Sequence, residues 1–177
     1  LNWAVNTAAA IHNTYGTWPN VWVKEGVYYG DTTSESAFTI VEGIWVYGGF
    51  AGTETDLSQR NFYLHPSYLD GQNSRRVLNQ PTGYSEQSLW DGFTIRNGYS
   101  TNGPGGAYLR NNTYLYDCEI INNTGTSGGG VVAYYANLDN CRFRGNVSTG
   151  TYSSDGGGAL MSSYSAINRC TFTRNRA

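Results

Sequence analysis

The chain has 177 residues, the size of a single domain, and a net charge of −2 that creates no field to draw it to nucleic acid or an anionic membrane. Its 23 glycines, 15 tyrosines and only four prolines describe short strands joined by turns, and no apolar run is long enough to cross a bilayer. Charge is uneven, with eight acids and four bases in residues 1–90 against five arginines and one acid, Asp155, in residues 140–177; this reads as ordinary surface charge.

Residues 1–16 read as a helical cap and 17–177 as coils of one repetitive domain. Leu1, Val5, Ala8 and Ile11 or His12 fall at helical spacing, in an alanine-rich stretch that Gly16 ends. An amphipathic helix placed before a strand array would cover the open end of a hydrophobic stack.

V-W-V at Val21–Val23 and I-W-V at Ile44–Val46 follow, 23 residues apart. Alternate strand residues face opposite sides, so inward aliphatics turn Trp22 and Trp45 outward. The 23-residue offset predicts that the two indoles stack one above the other. A further 23 residues reach Tyr68, which would extend the column. A competing offset comes from Leu69-Asp70-Gly71, which matches Trp90-Asp91-Gly92 and implies a different register. Outward aromatics on a flat sheet suit sugar rings. The other reading is that loops 30–37 or 52–62 cover them.

The second half repeats a phrase. It reads G-F-T-I-R-N-G at 92–98, D-C-E-I-I-N-N at 117–123, N-C-R-F-R-G-N at 140–146 and R-C-T-F-T-R-N at 169–175. The anchors Phe93, Cys118, Cys141 and Cys170 lie 25, 23 and 29 residues apart, a solenoid period. Glycine runs at 103–106, 128–130 and 156–158 punctuate each coil, permitting positive φ and close backbone approach. One coil is therefore three short strands, paired in parallel with the next coil about 4.8 Å away. The anchors should form one buried column and Ile95, Ile120, Phe143 and Phe172 the next. Glu119 and Arg142, one residue past their anchors, should be outward neighbours.

At that spacing the cysteines are slightly too far apart for relaxed disulfides, and three reduced, buried thiols are expected. Asn123, Asn146 and Asn175 should form an asparagine ladder at a corner. No C-x-x-C or histidine pair suggests a metal site, and no cofactor is implied. For lyase chemistry the candidates are Asp91, Asp117 and Asp139 beside Arg142 and Arg144. Asp91 and Asp139 would lie two coils apart, about 9–10 Å, too far to share one Ca²⁺ or to act as a glycosidase pair. The loop at 52–61 gathers Glu54, Asp56 and Arg60; one reading is a cation site, and the favoured one is a corner held by internal hydrogen bonds and an acid–arginine contact.

V-W-V-K-E-G-V-Y-Y, V-Y-G-G-F-A-G-T-E-T with S-Q-R-N, L-D-G, D-G-F-T-I-R-N-G and the C-x-[IF]-x-x-N repeats together resemble the all-β, right-handed, single-stranded parallel β-helix family of the pectate-lyase-like superfamily. More narrowly they are similar to β-helical regions of large secreted Bacteroidetes-type surface proteins, and distantly to polymorphic outer-membrane proteins. The resemblance implies export to the bacterial cell surface, a stalk or adhesin-like role beside other domains of the same polypeptide, and contact with a polysaccharide or host glycan. Neither nucleic-acid binding nor membrane insertion is expected. Asp31-Thr32-Thr33 resembles the O-glycosylation motif of such bacteria, with Thr32 as acceptor. The chain does not begin with Met and stops at Ala177 directly after a repeat phrase, so a piece of a longer or processed protein is expected. The alternatives to a non-catalytic binder are a polysaccharide lyase or glycoside hydrolase of the same superfamily, and end-to-end self-assembly.

Overall fold

The structure, a computed structural model, describes residues 1–151, 156–162 and 164–177. Asp155, the acid of the C-terminal stretch, lies outside the described residues. After one helix the chain is a parallel β-solenoid. The first sheet stacks Asn20–Lys24, Trp45–Phe50, Ser88–Asp91, Thr113–Tyr116, Asn137–Asp139 and Ala166–Asn168. The second stacks Gly26–Tyr28, Ser67–Asp70, Phe93–Arg96, Glu119–Ile121, Arg142–Arg144 and Thr171–Thr173. The third stacks Ser36–Thr39, Arg76–Asn79, Ala107–Leu109, Val131–Tyr134 and Ala159–Ser162, and a short fourth joins Tyr99–Ser100, Thr124–Gly125 and Val147–Ser148.

Parallel pairing in register puts like residues above like. Val21, Val46, Trp90, Leu115, Leu138 and Ile167 form one column. Tyr28, Leu69, Ile95, Ile120, Phe143 and Phe172 form another. Phe38, Leu78, Ala107, Val131 and Ala159 form the third. Each fully buried Leu, Ile or Phe contributes roughly 1.5–3 kcal/mol, so these columns dominate cohesion between coils.

The anchor column is as the repeat requires. Phe93, Cys118 and Cys141 are buried and Cys170 is half-buried, all on one side of the second sheet. The cysteines are free thiols. Each sulfur points to a carbonyl of the preceding coil: Cys118 to Trp90, Cys141 to Leu115 and Cys170 to Leu138, at 3.5, 3.6 and 3.7 Å. Hydrogen bonding with the Cys118 and Cys170 sulfurs, together with burial, pushes the Cys141 thiol up. It is a packed, inert group.

The asparagine ladder is complete. Asn123 Nδ2 donates to Asn146 Oδ1, and Asn146 Nδ2 to Asn175 Oδ1, both at 3.0 Å. The same amides donate to the carbonyls of Ile95 and Ile120. The left-handed residue at this corner is the one before the ladder: Asn97, Asn122, Gly145 or Arg174. The glycine runs act mainly by close approach. A β-carbon on Gly106 would overlap the Gly130 carbonyl, and one on Gly130 would overlap that of Gly158, while positive φ occurs at Gly103 and Gly128.

The helix Asn2–Tyr15 buries Val5 and Ala8 against the first coil, with Leu1 and Ala9 packed beside them. Gly16 is left-handed and donates to the His12 carbonyl. Ile11 is exposed, and His12 turns to the protein instead, stacking on Trp18 with ring centroids 3.9 Å apart.

Coils 1 to 3 correct the expected register. Asn20 pairs with Trp45 and Trp22 with Tyr47, an offset of two residues from the proposed indole column. Ile44 takes the strand-entry position that Ser88 and Thr113 take in the next coils, which leaves Val46 in the core column. A two-residue slip keeps every side chain on its own face, so both indoles still point outward. Tyr68 leaves the column altogether, lying in the second sheet between Val27 and Thr94. Leu69-Asp70-Gly71 aligns with Ile95 and Arg96, whereas Val46-Tyr47-Gly48 matches Trp90-Asp91-Gly92. Gly92 and Phe93 are consecutive in coil 3, but their coil 2 counterparts, Gly48 and Ser67, are separated by residues 49–66. That excursion is an insertion at one corner.

Candidate functional site

Trp22 and Trp45 stand on the outer face of the first sheet. Trp22 is 41% exposed and stacks on Phe50, with centroids 4.8 Å apart and planes 10° from parallel. Phe50, at the start of the insertion, thus covers one face of that indole. Trp45 is 39% exposed, and its Nε1 donates to the Gln87 carbonyl at 3.2 Å. With Trp18, Asn20, Gly43 and Gln87 it lines a hollow of about 440 Å³. One strand apart and two residues out of step, the two indoles form a diagonal with Cα atoms roughly 8 Å apart.

Tyr68 belongs to a different surface. The Arg96 guanidinium lies over its ring, 4.1 Å from the centroid. Both line a groove of about 420 Å³ over the second sheet, with Tyr63, Glu119, Arg142 and Arg144. The end of the insertion, Phe62 to Pro66, forms one wall. Glu119 and Arg142 are cross-strand partners with charged atoms 3.5 Å apart, as their offset from the anchors requires. Both are well exposed, so the pair contributes about 0–1 kcal/mol. No repeat phrase flagged this groove. Its signal was the long interval between Gly48 and Ser67.

The insertion is built from its own polar groups. Glu54 accepts from the backbone N–H groups of Ala51, Gly52 and Thr53 at 2.7, 2.8 and 2.9 Å. These bonds, the Ala51 one foremost, hold its carboxyl down to about 2. Asp56 caps the short helix Leu57–Gln59, with Gln59 reaching back to the Asp56 N–H. Arg60 finds its acid in the next coil, donating to Asp91 Oδ1 at 2.7 Å and to the carbonyls of Gly48 and Asp91. Its guanidinium also lies 5.2 Å from the Tyr47 ring centroid. The pair is nearly enclosed, with side chains 13% and 8% exposed. Burial raises the Asp91 carboxyl despite the arginine beside it.

The candidate acids are thereby occupied. Asp91 serves Arg60, Asp117 accepts from Asn140 Nδ2, and Asp139 is clamped by Arg169 at 2.8 and 2.9 Å. Asp70 likewise accepts from Arg96 and Asn97. Asp91 and Asp139 flank Tyr116 in register, two strands apart. Among the described residues no group of three or more His, Cys, Asp or Glu side chains could hold a metal ion. Thr32 sits in an exposed bend, beside an Asp31 carboxylate that accepts from Thr33 N–H and Oγ1 at 2.7 and 2.8 Å. No protein-family model, no curated protein and no solved structure matches the chain.

Proposed function

We propose that this chain is a non-catalytic β-helical stalk, adhesin-like, of a secreted or cell-surface bacterial protein, and that it contacts carbohydrate through Trp22 and Trp45. The observation that carries the reading is their placement. Two part-exposed indoles share the outer face of a sheet whose core columns hold them rigidly. Sugar rings present apolar C–H faces to such platforms while their hydroxyls find polar neighbours, here Asn20, Lys24 and Gln87. Tyr68 would contribute separately, from the groove over the second sheet. The partners are a polysaccharide or host glycan and other domains of the same polypeptide. A lyase or glycosidase needs carboxylates free to move protons or hold Ca²⁺, and the outward acids weighed for that role are committed to arginines or amides.

The test is a Trp22→Ala/Trp45→Ala double variant on a glycan array or polysaccharide column. Wild-type protein should be retained, and the variant should lose about tenfold or more in affinity, the equivalent of one to two aromatic contacts, with an unchanged far-UV circular dichroism spectrum. Absence of glycan binding by the wild type, or equal binding by the variant, would leave a purely structural stalk.

A further inference from the structure

The corner that leads from the third sheet into the first carries two stacked tyrosines. In register, the residue at this corner is Asn112 in coil 4, Tyr135 in coil 5 and Tyr164 in coil 6, each two places before the paired residues Tyr114, Asn137 and Ala166. All three have a left-handed backbone, with φ of 60°, 54° and 55°. Asparagine enters that region readily, whereas a bulky aromatic is an outlier there. Asparagine or glycine would close the same corner without strain. Strain kept twice at one position is of the kind that clusters at functional sites.

The two rings are placed for each other. Their centroids are 5.2 Å apart and their planes 26° from parallel. That separation is close to one strand spacing, and the in-register pairing of Asn137 with Ala166 and of Leu138 with Ile167 fixes it from below. Tyr135 is 51% exposed and Tyr164 86%, so both phenols are open to a reagent in solution. Among the described residues one other tyrosine pair is in ring contact, Tyr108 with Tyr134, and it meets edge-on at 5.9 Å and 76°. The well-exposed Tyr15, Tyr29, Tyr63 and Tyr99 stack on no tyrosine among the described residues.

We infer that Tyr135 and Tyr164 form a site of oxidative cross-linking, at which a one-electron oxidant of the peroxidase class couples the two phenols into a dityrosine that ties coil 5 to coil 6. Each phenol gives up one electron and one proton and becomes a neutral phenoxyl radical, whose unpaired electron is shared with the ring carbons ortho to oxygen. An ortho carbon of one ring bonds to an ortho carbon of the other. The hydrogens on those two carbons then move to the two oxygens and restore both phenols. Overall one C–C bond forms, and one hydrogen peroxide takes up the two electrons and two protons to become two waters. The stack holds the radicals side by side, so coupling within the chain outruns encounter with a second molecule. The site does not depend on Trp22 or Trp45.

The experiment is oxidation of the whole chain, in dilute solution, with a haem peroxidase and hydrogen peroxide. It is read by dityrosine fluorescence, by intact mass and by tandem mass spectrometry of proteolytic peptides. The monomer should lose two hydrogens, and most of the linked product should join Tyr135 to Tyr164. Tyr135→Phe and Tyr164→Phe keep both rings but lack one phenol; each should lower the dityrosine fluorescence of the monomer about tenfold or more, because the pre-oriented pair is gone, with an unchanged circular dichroism spectrum. Linked protein should also show slower amide exchange in Ala166–Asn168 and Thr171–Thr173 than unlinked protein, because the cross-link stops the last coil from fraying by itself. A cross-link located chiefly elsewhere, coupling only between molecules, or an undiminished yield from Tyr164→Phe would overturn the inference. Unchanged exchange in the linked protein would overturn its role in tying the two coils.

Discussion

Coils 4 to 6 and coils 1 to 2 reach the same cross-section by different means. In the later coils every position is used in the same way each time: thiol above thiol, asparagine above asparagine, glycine against the next glycine's carbonyl. The earlier coils break that economy. They carry a helix over one end, an 18-residue excursion at 49–66 and a serine, Ser67, where the later coils have Phe93 and cysteines. Ser67 Oγ donates to the Val23 and Lys24 carbonyls and receives the Gly49 N–H, so this corner is tied by side-chain hydrogen bonds rather than filled by an apolar anchor. Repetition gives cohesion through the whole stack. Departure from repetition supplies the exposed indoles and the wall of the Tyr68 groove. Function is sought where the pattern fails, because a perfect column leaves its outer face as uniform as its core.

The comparison breaks first at the ladder. Asn146→Ala should leave the buried Asn123 N–H without its acceptor and remove the Asn146 bonds to the Asn123 amide and to the Ile120 carbonyl, at about 1–3 kcal/mol for a buried donor left unsatisfied and about 1 kcal/mol for each other bond lost. A total loss of roughly 3 kcal/mol or more is expected, read as a fall in the denaturant midpoint of the whole domain. A loss below about 1 kcal/mol would mean water replaces the ladder and that repetition contributes little.

Arg60→Ala tests the insertion and should cost less, about 2 kcal/mol, below the 3–5 kcal/mol seen when fully buried pairs are broken. The reason is that Asp91 can take up a proton: burial already raises its carboxyl, and loss of Arg60 raises it further. The effect should be local, with proteolytic cleavage within 49–66 quickening while the later coils keep their amide protection. Cleavage at wild-type rates would show that the insertion stands without its ion pair.

The smallest effect concerns pH. The Glu54 carboxyl is held near 2, below its ordinary 4.5, by the backbone N–H bonds of Ala51, Gly52 and Thr53. Because the folded value is the lower one, the carboxylate's contribution is complete above about pH 4.5 and is lost as pH falls toward 2. Hydrogen exchange at those three amides, corrected for its intrinsic pH dependence, should lose protection across that window while Asn123 and Asn146 keep theirs. Unchanged protection of the three amides would assign the turn's order to its backbone alone.

Much of this molecule is written in local pattern. The repeat phrase places Cys118, Cys141 and Cys170 in one column, the asparagines in a ladder and Glu119 beside Arg142, because equal spacing and a two-residue side-chain period leave one in-register solution. The same period fixes the outward direction of Trp22 and Trp45, which survives any slip by two residues. The helix over 2–15 is legible from its alanines and from Gly16. Which strand of coil 1 meets which residue of coil 2 was not legible. V-W-V and I-W-V look equivalent at a spacing of 23, yet the chain pairs them at 25. Parallel pairing joins residues a whole coil apart, and a corner of any length closes the turn at small entropic cost. An insertion therefore resets the spacing without disturbing the core. The placement of Tyr68 in the second sheet, the reach of Arg60 to Asp91 and the stacking of Tyr164 on Tyr135 all follow from that freedom. Only the packed coils decide them, because only there do residues distant in sequence become neighbours.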